Sequence, residues 1–169
     1  MESCKIQIEV ASRLEASRIL SSPNDCSEVS FLVSIGAPED ELPVGYSNVP
    51  DKIRLLFGDT ESAEDGPTEL DVQTLIELAQ RLNRAPGKIL IHCEAGVSRS
   101  TAAALIMYTS LLGSDSEPEA MRRLIRQRPI ARPNRRMVEI ADRMLGRGGR
   151  LIGVLDSDRL PNVRTEDIM

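Results

Sequence analysis

The run Ile89-Leu90-Ile91-His92-Cys93-Glu94-Ala95-Gly96-Val97-Ser98-Arg99-Ser100-Thr101-Ala102-Ala103-Ala104 decides the fold. An apolar strand delivers a cysteine to a tight loop, and the loop opens into a helix of small and aliphatic residues. That order creates an oxyanion site, because unpaired amide N–H groups and the positive end of the helix dipole converge on one spot. Five residues separate Cys93 from Arg99, enough backbone to curl around a tetrahedral anion with its N–H groups facing inward. Gly96 suits a position where the backbone takes unusual dihedrals or passes close to a ligand.

Each residue in the run carries a chemical expectation. Glu94, Ala95, Gly96, Val97 and Ser98 would supply the amide cradle. Arg99 can grip two anion oxygens through its planar fork and keeps its charge at any physiological pH. The Cys93 thiol, set in such a nest of donors, is expected to act as a thiolate at neutral pH without a separate general base. Ser100 stands where its hydroxyl can donate to that sulfur and help it depart. His92, the only histidine, reads better as a residue bonded to the loop backbone than as a base. Taken singly these residues have ordinary readings: a buried hydrophobic cysteine, a structural histidine, a solvated arginine, a turn glycine. It is their assembly in this order that points to phosphate chemistry.

The run resembles the His-Cys-x5-Arg-Ser/Thr signature of the cysteine-dependent protein phosphatases, and in detail the compact dual-specificity branch with its small bacterial tyrosine-phosphatase-like members. The similarity spans roughly residues 5 to 147. It takes in Lys5 to Val10 with the helix after it, the strand Val29 to Ile35, the segment Ile53 to Thr60, and Arg128-Pro129-Ile130-Ala131-Arg132-Pro133-Asn134. The resemblance implies a two-step hydrolysis of phosphate monoesters through a phosphocysteine, with neither metal nor organic cofactor. It also implies an acidic proton donor some thirty residues before the cysteine, just after a strand. Asp59, following Leu55-Leu56-Phe57-Gly58, matches that position; Glu61, Glu64 and Asp65 lie nearby as competitors. Asn134 matches a family position that supports the phosphate loop, and it equally suits the N-cap of the helix it precedes.

The substrates implied are phosphotyrosine and, through a shallow pocket, phosphoserine and phosphothreonine of proteins; no tyrosine-clamp segment of the larger tyrosine-specific enzymes is recognisable. The alternatives are a phosphoinositide, a nucleotide or an RNA 5′ end, and a phosphate-binding docking module without catalysis. Phospholipid-directed relatives carry basic residues inside the loop, whereas this loop holds Glu94.

Composition sets the frame. A chain of 169 residues with 41% apolar content is long enough for one well-packed domain. Aromatics make up only 2%, so the core must rest on Leu, Ile, Val, Ala and Met. The formal net charge of −5 disfavours nucleic acid as the main partner. No apolar run approaches the roughly 20 residues of a membrane span, and the N-terminal residues do not read as a secretory signal. Three cysteines without metal-ligand spacing suit a reducing cytoplasm. Cys4 and Cys26 are each conceivable disulfide guards of Cys93, with burial the plainer reading. Oligomeric state has no sequence signal.

Strands and helices alternate, which implies an α/β fold with a mostly parallel sheet of four to five strands covered by helices on both faces. The catalytic domain is expected over 1–147 and a peripheral tail over 148–169. Ser21 to Asp25 reads as a break. Thr68 to Arg84 reads as an amphipathic helix burying Leu70, Leu75, Ile76, Leu78, Ala79 and Leu82. Glu117 to Gln127 and Asn134 to Leu145 read as two more helices. Leu151 to Leu155 suit either a short strand or a segment packed against the domain. The arginines from Arg122 to Arg136 read as a solvated face paired with Glu117, Glu119 and Glu139, the alternative being a docking surface for an acidic partner.

Overall fold

The computed structural model describes residues 6–85 and 87–157. Four strands, β1 (Ile6–Ala11), β2 (Val29–Gly36), β3 (Lys52–Leu56) and β4 (Gly87–His92), form one all-parallel sheet in the order β1-β4-β2-β3. The strand that carries the loop is therefore central. Alternation along the strands divides the core in two. Ile89, Ile91 and Cys93 join Phe31, Val33, Ile35, Ile8 and Val10 in the larger cluster. Leu90 joins Leu32, Ala11, Ala16 and Leu20 in the smaller one. Cys93 and His92 thus point to opposite faces of the sheet.

Helices α1 (Arg13–Ser21) and α2 (Pro23–Ser27) cover the smaller face. Ser12 and Glu15 form a capping box at the start of α1. Of Ser21 to Asp25, read as a break, Ser21 ends α1, Ser22 separates the two helices, and Pro23 opens α2 in the first turn, where its missing N–H costs nothing. The larger face carries α3 (Glu69–Leu82), α4 (Arg99–Leu112), α5 (Glu117–Gln127) and α6 (Arg135–Met144). Every residue of α4 from Arg99 to Thr109 is buried, as the centre of a doubly covered sheet requires. Leu70, expected on the buried side of α3, is 72% exposed; it stands in the first turn, and the apolar stripe begins at Val72.

The edge strand β1 is closed by a side chain. Gln127 accepts from the Val10 amide at 3.0 Å and donates to the Ile8 carbonyl at 2.6 Å, giving backbone groups at an open edge the partners they need. Within the stretch read as a peripheral tail, Arg150–Asp156 form a seventh helix, α7, which packs on α5 and α6 with Leu151 fully buried. Gly148 and Gly149 turn the chain back through positive φ. The buried Asp142 carboxylate then accepts the amides of Gly149, Leu151 and Ile152 at the new helix start.

Candidate active site

The loop Cys93 to Ser98 leaves the carboxyl end of the central strand, where ligands of parallel sheets bind, and enters α4 at Arg99. Its carbonyls are all engaged from outside. Glu94 O accepts the Arg13 amide at 3.1 Å, Val97 O the Arg132 amide at 2.7 Å, and Ser98 O the Asn134 amide at 3.1 Å. Arg128 donates to Gly96 O at 2.9 Å and Ala95 O at 3.4 Å. Conversely, none of the amide N–H groups of residues 94–98 donates to a described residue. Carbonyls held outward and amides left unpaired make a nest for an anion.

Two charged side chains outside the loop sustain this shape. Arg128 pairs with Glu15 through both terminal nitrogens at 2.9 and 2.8 Å. That pair holds the Glu15 carboxyl well below its usual range, at about 2, and raises Arg128. Arg13 pairs with the Glu94 carboxylate at 2.9 Å, so the acid in the loop is neutralised by α1. Gly96 has φ +68°, and a Cβ there would sit 2.7 Å from the backbone of Ala11 and Ser12.

At the base of the nest the Cys93 sulfur lies 3.0 Å from the Ser100 hydroxyl, both buried. Arg99 is 6% exposed; its Nη1 donates to Phe57 O at 2.9 Å and lies 3.6 Å from the Asp40 carboxylate. Its Nε is buried with no partner among the described residues. An unpaired buried donor is costly unless a ligand completes it.

Asp59 stands on the rim. Its Oδ1 accepts from Ser98 Oγ at 2.6 Å and from Asn134 Nδ2 at 3.1 Å, while its Oδ2 has no partner among the described residues. Glu61, Glu64 and Asp65 are exposed and make no bond to the loop. Asn134 also donates to Thr60 O, and its Oδ1 accepts the Met137 amide as N-cap of α6. Through its side chain and its backbone amide, Asn134 therefore ties the Asp59 segment, the loop and α6 together. His92 lies on the far face with Nδ1 3.0 Å from Cys93 O and Nε2 2.6 Å from Ser34 Oγ. Burial, aided by the positive charge of Arg54, pushes its pKa down despite the bond to Cys93 O.

Cys26 precedes Val29, which pairs with Lys88 at the start of β4, whereas Cys93 follows the end of that strand. At about 3.3 Å per residue the stretch from Lys88 to Cys93 spans about 16 Å, which sets the two cysteines towards opposite ends of the sheet, well beyond disulfide reach. Cys4 lies outside the described residues. Glu119 pairs with Arg122 and Arg123 and Glu139 with Arg135, but Glu117 is drawn inward to Arg147. Among the described residues no cluster of His, Cys, Asp and Glu is arranged to hold a metal, and no helix is long and apolar enough to cross a membrane. Sequence reasoning missed Asp40, Arg54 and Ser34, whose roles depend on contacts between separate elements. A charged residue inside the strand Ile53-Arg54-Leu55 was the one available signal.

No protein-family model and no curated protein matches the chain. Solved structures do. The crystal structure of DUSP15 aligns with a TM-score of 0.61 at 20% identity, covering 94% of this chain and 96% of that one. That of human DUSP28 gives 0.59 at 18%, covering 85% and 93%. The human tyrosine phosphatase-like serine/threonine/tyrosine-interacting protein gives 0.66 at 15%, covering 82% and 91%. The chain has the fold of the cysteine-dependent dual-specificity phosphatases.

Proposed function

We propose that this chain is a cysteine-dependent phosphatase that removes phosphate from phosphotyrosine, and also from phosphoserine and phosphothreonine, of proteins through a phosphocysteine. The observation that carries the reading is the nest itself. Five consecutive amides and the buried Nε of Arg99, all without a partner among the described residues, belong to the loop that begins at a buried cysteine sulfur. A phosphate dianion satisfies all of them at once, in a site where such preorganised donors act most strongly.

In the first step the Cys93 thiolate attacks phosphorus. The S–P bond forms as the ester O–P bond breaks, and Asp59 gives its proton to the departing oxygen. General acid assistance of this kind is typically worth about 10²–10⁴-fold. In the second step water attacks phosphorus and Asp59 takes its proton. The S–P bond then breaks, with the Ser100 hydroxyl donating to the departing thiolate. Arg99 and the amides of residues 94–98 hold the equatorial oxygens throughout. His92 and Asn134 keep the loop and the acid in place. The residues use no metal and no organic cofactor. A reducing cytoplasm suits a thiol whose nearest described cysteine is out of reach.

The rival substrates are phosphoinositides, nucleotides and RNA 5′ ends. PTPMT1, a fold relative at 13% identity and TM-score 0.60, was crystallised with PI(5)P. Against a polyphosphorylated headgroup here stands a loop interior with no basic side chain. Phosphate release from phosphotyrosine, phosphoserine and phosphothreonine peptides, phosphoinositides and nucleoside triphosphates tests the reading. Turnover of the peptides is expected. Turnover confined to lipids or nucleotides would overturn the substrate assignment, and binding without turnover would make the chain a docking module.

A further inference from the structure

The strand register places Arg54, Ser34 and His92 in one row across the carboxyl ends of β3, β2 and β4. Arg54 Nη1 donates to Ser34 Oγ at 2.7 Å, and Ser34 Oγ lies 2.6 Å from His92 Nε2. His92 Nδ1 faces the Cys93 carbonyl at 3.0 Å. These contacts, together with the burial of His92, assign the hydrogens. A carbonyl only accepts, so Nδ1 carries the proton. A guanidinium only donates, so Ser34 Oγ accepts from Arg54; its second lone pair would suit a protonated Nε2, but burial and the Arg54 charge disfavour the imidazolium, so the hydroxyl hydrogen turns to a bare Nε2. The imidazole is thereby held neutral in the Nδ1–H form, gripping the backbone of the cysteine residue from behind. The other charged groups that face His92 are Glu94 and Arg13, of opposite sign and paired with each other.

The same guanidinium reaches the other half of the site. Arg54 Nη2 lies 3.4 Å from Asp40 O, and the Asp40 carboxylate, itself accepting the Ala37 amide at 2.8 Å, lies 3.6 Å from Arg99 Nη1. Gly36 leaves the room this requires: a Cβ there would meet Arg54 Nη2 at 2.5 Å. Arg54 has no carboxylate within ion-pair distance among the described residues, so its charge serves these two chains of contacts.

We infer that Arg54 is a positioning residue that fixes, through Ser34–His92, the strand end bearing Cys93 and, through Asp40, the phosphate-gripping Arg99. It touches no substrate. The inference rests on the reading of Cys93 and Arg99 given above, but its central readout does not depend on turnover. Because His92 is the only histidine, its imidazole nitrogen shifts are unambiguous in an NMR spectrum of the full chain.

Wild type is expected to show the pure Nδ1–H tautomer across neutral pH. In Arg54→Met the Nδ1–H tautomer should persist, because the Cys93 carbonyl is unchanged, while the His92 titration midpoint should rise toward the ordinary value near 6.5 and kcat/KM should fall on the order of 10²-fold, the typical cost of roughly 1 Å misplacement. Arg54→Lys restores a single donor to Ser34 but not the fork. It should keep the Nδ1–H tautomer and still bind vanadate about 10-fold more weakly. Gly36→Ala, which displaces the guanidinium without removing it, guards against a folding defect in Arg54→Met and should also raise the His92 midpoint. An unchanged His92 midpoint in both Arg54→Met and Gly36→Ala would overturn the inference, as would wild-type vanadate affinity in Arg54→Lys. Loss of turnover dependence on Cys93 would instead defeat the phosphatase reading while leaving the midpoint result standing.

Discussion

Gly96→Ala is the perturbation whose consequence the structure specifies most fully. The residue has φ +68°, and holding an L-residue in that region costs about 1–2 kcal/mol. The added Cβ would also sit 2.7 Å from Ala11 C and Ser12 N and 2.5 Å from Arg128 Nη2. Comfortable carbon contacts lie at about 3.5–4.0 Å, so the loop must retreat by about 1 Å from a backbone that cannot yield. Retreat breaks the bond from Arg128 to Gly96 O, a charge-assisted contact worth about 1.5–3 kcal/mol. The sum is about 3–5 kcal/mol, which at about 2 kcal/mol/M lowers the urea midpoint by about 2 M. The chain should remain folded without denaturant, given typical stabilities of about 5–15 kcal/mol, while kcat/KM falls on the order of 10²-fold. Gly146→Ala is the matched control: φ is +64° but nothing lies within 4 Å of its Cβ, so only the dihedral cost of about 1–2 kcal/mol applies. Equal losses in the two variants would refute the close-approach argument, and an unaltered rate in Gly96→Ala would refute the role of the loop shape.

Asp59→Asn should slow hydrolysis of phosphoserine and other alkyl esters by about 10²–10⁴-fold and an activated aryl phosphate far less; that signature in Glu61→Gln or Asp65→Asn instead would reassign the acid. Arg99→Lys should weaken vanadate binding by about 10–100-fold, because a point charge replaces a two-pronged charge-assisted grip, and inhibition curves read this directly. Glu15 titrates at about 2 in the folded chain because of Arg128, below its ordinary 4.5. Its contribution is therefore present above about pH 4.5 and is lost as pH falls toward 2. With Glu15 37% exposed, screening reduces this to on the order of 1 kcal/mol. Urea midpoints through that window should fall less steeply in Glu15→Gln than in wild type; parallel curves would remove the Glu15–Arg128 pair from the account.

The parts of this protein legible in its sequence are those fixed by local order. Ile89 to Ala104 encodes strand, loop and helix in one continuous run, and the alternation of elements implies a parallel sheet with helices on both faces. Contacts between distant elements were not legible. Leu70 obeys the helical spacing of its neighbours yet faces water, because α3 meets the core only from Val72. The helix over Arg150–Asp156 depends on Asp142 accepting amides from the next turn of chain. Arg54 and Ser34 reach His92 only through strand register, which no local pattern encodes. Asn134 was readable as a helix cap, whereas its bond to Asp59 across 75 residues was not.

Phosphate release by Cys93→Ser, run beside wild type on a phosphotyrosine peptide with vanadate binding measured on both, tests the central claim most directly. Turnover should vanish while vanadate still binds, since the amides of residues 94–98 and Arg99 remain. Turnover by Cys93→Ser at the wild-type rate would contradict the phosphocysteine mechanism.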